Sequence, residues 1–169
     1  TGYVTQNFSE WGNFPLIYFL ILMFIGGCAG STTCGIKIFR VQILYQFISN
    51  QLKKFIYPRG IFKIKYENNN VDEKFLSSII SFIFLYIVIF FIITALLSTN
   101  GLDFVTSLSA AATSISNVGP GLGDIIGPNG NFSQLSDVSK WILSLAMILG
   151  RLELFVVLVL FIPSFWRKF

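Results

Sequence analysis

Apolar and polar residues fall in long blocks along this chain. Phe14 to Ile25 is solidly apolar, with Pro15 near its start where a helix tolerates it. At 1.5 Å per residue that run covers roughly half a bilayer. Gly26 to Gly35 follows, with four glycines and three hydroxyl residues in ten positions, a composition that predicts an unwound segment. Ile36 to Ile48 restores an apolar helical pattern, interrupted by Lys37, Arg40 and Gln42. Residues 13–55 therefore read as one broken helix running from the membrane into the cytosol. A Gly/Ser/Thr helix-packing face is the other reading of the interruption. Phe75 to Leu97 carries no charge over 23 residues and is long enough to span. Residues 104–116 predict a short helix, 117–121 a glycine-rich return and 122–137 a polar loop. A last helix is expected over 138–166, broken near Gly150, Arg151 and Glu153.

The candidate chemistry sits in Ser107 to Gly123, SLSAAATSISNVGPGLG. It is too short and too polar to cross a bilayer alone, and its glycines prevent a continuous helix. A short helix and a glycine-rich return between two spans read as a re-entrant pore loop. In such a loop backbone carbonyls replace the water around a cation.

Composition sharpens this picture. Of 169 residues, 54% are hydrophobic and 12% charged, a membrane-protein balance. The net charge of +4 is read as topology rather than as a nucleic-acid signal, because the bases cluster between apolar blocks. Lys53, Lys54, Arg59, Lys63, Lys65 and Lys74 mark the linker Asn50 to Lys74 as cytoplasmic, and Arg167 and Lys168 place the tail on the same side. Glu10, Asp103, Asp124 and Asp137 give the opposite side a mildly acidic character that favours cations. The sequence contains no histidine, which excludes a His metal site or a His-based triad within this chain. Asp103 and Glu153 belong at different depths, so no acid/base pair is expected and the chain is not read as an enzyme. Cys28 and Cys34 read as small packing residues.

A repeat is visible. Thr1-Gly2-Tyr3 with its polar loop and interrupted span parallels Val118-Gly119-Pro120 with its own. The distance from glycine to interruption is 24 residues in the first copy (Gly2 to Gly26) and 31 in the second (Gly119 to Gly150). Two such units are too few to close around an axis, and the chain opens on Thr1, inside a motif. It is therefore expected to be part of a longer protein.

GGCAGSTTCGIK (Gly26 to Lys37), NVGPGLG (Asn117 to Gly123) and GRLELF (Gly150 to Phe155) resemble the Trk/Ktr/HKT superfamily of potassium transporters, especially its bacterial TrkH/KtrB-like pore subunits. The resemblance covers the whole sequence. It implies an all-α membrane protein of helix–pore-loop–helix repeats around a pseudo-fourfold, potassium-channel-like pore, with about one and a half of four units present. Residues 1–56 would be the filter end and broken second helix of the third unit, 57–74 a cytoplasmic linker and 75–169 the fourth unit. Thr1, Gly2 and Tyr3, and Asn117, Val118, Gly119 and Pro120, would be filter segments binding K+ through carbonyls. Gly26, Gly27, Cys28, Ala29, Gly30, Ser31, Thr32, Thr33 and Gly35 would form an intramembrane gating loop. Thr33-Cys34-Gly35 departs from the glycine run common in bacterial relatives.

Arg151, near the middle of the last span, resembles the family's arginine facing that loop; a structural ion pair is its other reading. Lys37 either lies near the inner pore or snorkels to the interface. The implied function is potassium uptake across the cell (inner) membrane by a multi-pass subunit with a cytoplasmic C-terminus. A sodium- or proton-coupled secondary transporter is the alternative. The resemblance further implies a homodimer of pore subunits, embedded in lipid, on a cytosolic nucleotide-binding RCK-type (TrkA/KtrA-like) ring. It implies no organic cofactor in this chain and no nucleic-acid partner.

Overall fold

The computed structural model describes residues 4–28, 30–31, 34–66, 69–152, 154–160 and 162–166. The chain is mostly helical: α1 (Asn13–Phe24), α2 (Ile38–Ile56), α3 (Glu73–Thr99), α4 (Phe104–Ser116), α5 (Asp137–Arg151), α6 (Leu154–Leu160) and α7 (Pro163–Trp166). A two-stranded hairpin, β1 (Lys65–Tyr66) and β2 (Asn69–Asn70), lies between α2 and α3.

α3 is, among the described residues, the one helix long and apolar enough to cross a membrane by itself; α5 and α6 pass together as a bent pair. At 27 residues α3 is about 40 Å long, more than the ~30 Å hydrocarbon core. Ile79, Phe82, Tyr86, Phe90, Ile93 and Leu97 form its buried stripe, at helical spacing. Phe84, Ile87, Phe91, Ile92 and Leu96 face outward, as a lipid-exposed surface requires. Lipid tails are as apolar as these side chains, so the helices are held by close packing rather than by expulsion of water.

α4 supplies that packing. It lies against α1, α3 and α5, and its buried residues from Thr106 to Ser116 are Thr, Ser, Ala and one Ile, small enough for three neighbours to approach. The closest crossing is at Gly150 near the end of α5. A Cβ there would stand 1.8 Å from the Ile115 carbonyl oxygen and 3.1 Å from Asn117 Nδ2. Only a residue without a side chain fits.

The interruption after α1 is an unwound loop with a closed neck. Gly26 N donates to Ile36 O at 3.0 Å, Ile36 N to Phe24 O at 3.0 Å, and Ile38 N to Gly27 O at 3.2 Å. These bonds satisfy backbone groups that lipid could not. The basic linker also has structure: Lys65 N donates to Gln46 Oε1 at 3.3 Å, and Phe39 packs its ring on Tyr66 and Phe75.

Where the sequence predicts a last helix over 138–166 broken near Gly150, Arg151 and Glu153, the chain forms α5, α6 and α7. α5 and α6 diverge by 110°, and Leu152, at φ −85° and ψ 9°, ends α5 with its N–H still bonded to Ile148 O. Pro163, which has no backbone N–H to donate, then begins α7.

Gly150→Val tests the tight crossing. Displacing α5 from α4 should destabilise the full-length, detergent-solubilised protein by about 1–3 kcal/mol, read as a lower melting temperature. An unchanged melt would mean that α5 does not press on the Ile115 carbonyl.

Candidate functional site

α4 begins on Asp103, whose Oδ2 accepts from Thr106 N at 3.2 Å. Hydrogen bonding from the Thr106 side chain and backbone holds the Asp103 carboxyl below the ordinary carboxylate range. At the other end Asn117 adopts a left-handed φ of 52°. Val118 N reaches back to Thr113 O at 3.0 Å and Asn117 N to Ser114 O at 3.2 Å, the paired bonds of a Schellman turn with asparagine in glycine's usual place. Asn117 Nδ2 donates to Met147 O at 3.0 Å, tying this turn to α5.

Beyond the turn the chain runs back along α4 on two hydroxyls. Gly119 N donates to Thr113 Oγ1 at 2.9 Å. Leu122 N donates to Ser109 Oγ at 3.0 Å, and Ser109 Oγ lies 3.2 Å from Leu122 O. Thr113 and Ser109 are four residues apart, one turn on one face of the helix. Gly119 has φ +119°, which a side chain rarely adopts. Among the described residues no group donates to the carbonyls of Asn117, Val118, Gly119 or Pro120. These four residues are exposed or half-buried, while Gly121 and Leu122 are buried. N–H groups pinned inward and carbonyls left unbonded make a backbone that can coordinate a cation. The carbonyl end of α4, the negative end of its dipole, terminates beside it.

The second part of the site surrounds the unwound loop. Arg151 Nη1 donates to Cys34 Sγ at 3.8 Å. Ser31, Cys34, Gly35, Lys37, Arg40 and Arg151 line one cavity of about 290 Å³, with Phe82, Tyr86, Gly150 and Leu154 completing its wall. The Arg40 guanidinium stacks over the Phe82 ring at 3.9 Å from its centroid. Three cationic side chains on one small cavity oppose entry of a further cation.

The structure brings Arg151 to the loop and places Gly26, Gly27, Cys28, Gly30, Ser31 and Gly35 along it. Lys37 lines the cavity. Ala29, Thr32, Thr33 and Glu153, and the predicted segment Thr1, Gly2 and Tyr3, lie outside the described residues. Sequence reasoning passed over Cys34 as packing, and it passed over Arg40, Ser109 and Thr113. The hydroxyl pair at i and i+4 on α4 was a signal for the last two; nothing local marked Cys34.

Thr113→Val keeps the shape and removes the acceptor for Gly119 N–H. The orphaned group should cost about 1–3 kcal/mol, read as a lower melting temperature of the full-length protein. Thr113→Ser should recover most of it. A valine variant as stable as wild type would show that the hydroxyl does not hold this segment.

The family model described as TrkH, cation transport protein, matches residues 1–168. The chain is 44% identical over 168 residues to the Trk system potassium uptake protein TrkI of Halomonas elongata, covering 99% of this chain and 34% of that protein. It is 35% identical over 167 residues to the Trk system potassium uptake protein TrkH of Escherichia coli K12, with the same coverage of 99% and 34%. The crystal structure of the potassium transporter TrkH from Vibrio parahaemolyticus superposes with a TM-score of 0.88 at 34% identity, over 98% of this chain and 35% of that one. The chain thus spans about a third of the length of the curated relatives it matches. Its helix–pore-loop–helix order, its unwound loop and these matches together establish that the chain belongs to the TrkH family of cation transport proteins.

Proposed function

We propose that this chain forms part of the ion-conducting path of a potassium uptake system, with Asn117, Val118, Gly119 and Pro120 supplying carbonyls to a selectivity filter. The observation that carries the proposal is the division of labour in this segment: α4 takes its N–H groups, Asn117 and Val118 through the Ser114 and Thr113 carbonyls and Gly119 through the Thr113 hydroxyl, and among the described residues no group donates to its outer carbonyls. Similarity to proteins named for potassium uptake supports K+ as the transported ion. The loop Gly26 to Gly35 is the gate, and Arg151 stabilises its closed form through Cys34 while repelling cations. In the whole protein, four such units surround one pore in the cell (inner) membrane, with Thr1, Gly2 and Tyr3 in the preceding filter segment. Two pore subunits pair on a cytosolic nucleotide-binding ring of the RCK type. The linker 57–74 and the basic C-terminal residues face that ring from the cytoplasmic side.

Two measurements on the full-length protein, in cells lacking their own potassium transporters, test this. Gly119→Ser strains the segment at φ +119° and should lower the preference for K+ over Na+ about tenfold, ~1.4 kcal/mol. Uptake with unaltered rate and preference would remove Gly119 from the filter. Arg151→Gln deletes a charge whose repulsion of a cation ~8 Å away is about 2 kcal/mol at an effective dielectric of ~20. It should raise K+ flux, and a flux at or below wild type would argue that Arg151 serves only to hold the fold.

A further inference from the structure

The conduction reading leaves open how the loop and the filter segment sense each other, and α3 touches both. Tyr86 is 1% exposed in the middle of α3. Its hydroxyl shares a 2.6 Å hydrogen bond with Ser116 Oγ, and Ser116 immediately precedes the left-handed Asn117 on which the chain turns. Its ring meets the Phe24 ring edge-on, with centroids 6.1 Å apart. Phe24 belongs to the neck of the loop, since its carbonyl accepts the Ile36 N–H at 3.0 Å. Tyr86 also forms part of the cavity wall that holds Cys34 and Arg151. One turn earlier, Phe82 carries the Arg40 guanidinium on its face, and Arg40 lies in the first turn of α2, just beyond the loop. Both flanks of the loop therefore rest on a single turn of α3, and that turn is bonded to the end of the pore helix.

The hydroxyl is the informative atom. Packing alone would be served by phenylalanine, which α3 uses at 75, 82, 84, 90 and 91. The Thr94 and Thr99 hydroxyls bond within α3, to Phe90 O and Leu96 O. Tyr86 instead sends its hydroxyl across to α4, in surroundings where an unpaired one is costly. Its ring is rigid, so a shift of Phe24 displaces the atom that holds Ser116.

We propose that Tyr86 is a positioning residue that couples the intramembrane loop to the filter end of α4. The proposal rests on the conduction reading for its transport consequence alone. Coupling of this kind is reciprocal, so a change made at Ser116 must be felt in the loop.

The test uses the full-length protein in membranes with Cys34 kept as its single cysteine, labelled by a membrane-permeant maleimide. Cys34 is 8% exposed, and Ser116 does not line its cavity. Ser116→Ala and Tyr86→Phe should each speed labelling roughly three- to tenfold, the range one lost hydrogen bond covers. The double variant should be no faster than either single one, and Ser116→Thr should restore the slow rate. The same two single variants should lower the preference for K+ over Na+ in uptake. Unchanged labelling in Ser116→Ala, or singles that add in the double variant, would overturn the coupling. Absence of K+ uptake by the unaltered protein would instead overturn the conduction reading, and the labelling result would still decide the coupling.

Discussion

Backbone polar groups placed at membrane depth must find partners inside the protein, and this constraint explains more of the structure than any other. A helix meets it automatically; the residues that leave helical geometry need substitutes. After α4 the substitutes are two side-chain hydroxyls, Thr113 and Ser109, which take the N–H groups of Gly119 and Leu122. At the interruption between α1 and α2 they are the cross-chain bonds of the neck, Gly26 to Ile36 and Ile36 to Phe24. The two solutions differ in what they leave over. After α4 the N–H groups of residues 117–119 turn back to the helix, and among the described residues nothing donates to the carbonyls of 117–120; the neck instead pairs donor with acceptor across the loop. On the proposed reading the first arrangement is a coordinating surface and the second a plug.

The same constraint dictates the small residues. Irregular backbone is tolerated only where protein covers it, so three helices must close around α4 and its return. Ala110, Ala111 and Ala112 with the flanking serines and threonines allow this approach, and Gly150 allows the last of it. Large apolar side chains are sent to the outside of α1 and α3, where lipid accepts them at no cost. Around α4 the molecule is thus packed through small residues, while the large apolar side chains of α3 divide between an inner stripe and an outer face.

Much of this was legible in the sequence. The uncharged stretch 75–97, the glycine cluster 26–35 and the small-residue run before Asn117 are local signals, and each points to one kind of backbone. The helical, pore-loop architecture followed from their order. A break near Gly150, Arg151 and Glu153 was legible as an interruption of the last span; the 110° between α5 and α6 was not, because composition carries no direction. The linker hairpin is two residues per strand, too short for any periodic pattern. The partner of Arg151 was hidden for another reason: Cys34 lies 117 positions away, on a segment with no periodicity to orient it. Tyr86 and Ser116, 30 positions apart, are separate features in the sequence until α3 and α4 pack.

Packing also explains why one dipeptide carries so much. Gly150 lets α5 reach the pore helix at Ile115, and Met147, within the preceding turn, receives the Asn117 amide. The next residue, Arg151, reaches the loop at Cys34. A bulkier residue at 150 would move the arginine away from the loop and α5 away from the pore helix at once. On the proposed reading these are opposite influences on a cation: carbonyl dipoles that draw it in at residues 117–120, and a cationic cavity wall of Lys37, Arg40 and Arg151 that holds it back. Their closeness matters because electrostatic influence between partly buried charges falls with distance and is little screened by salt. A guanidinium set one residue beyond the pore-helix contact acts on the cation and on the loop from the same position. On the proposed reading, withdrawal of the loop would break the Arg151–Cys34 contact, so movement of the loop and of this part of the cavity wall are linked.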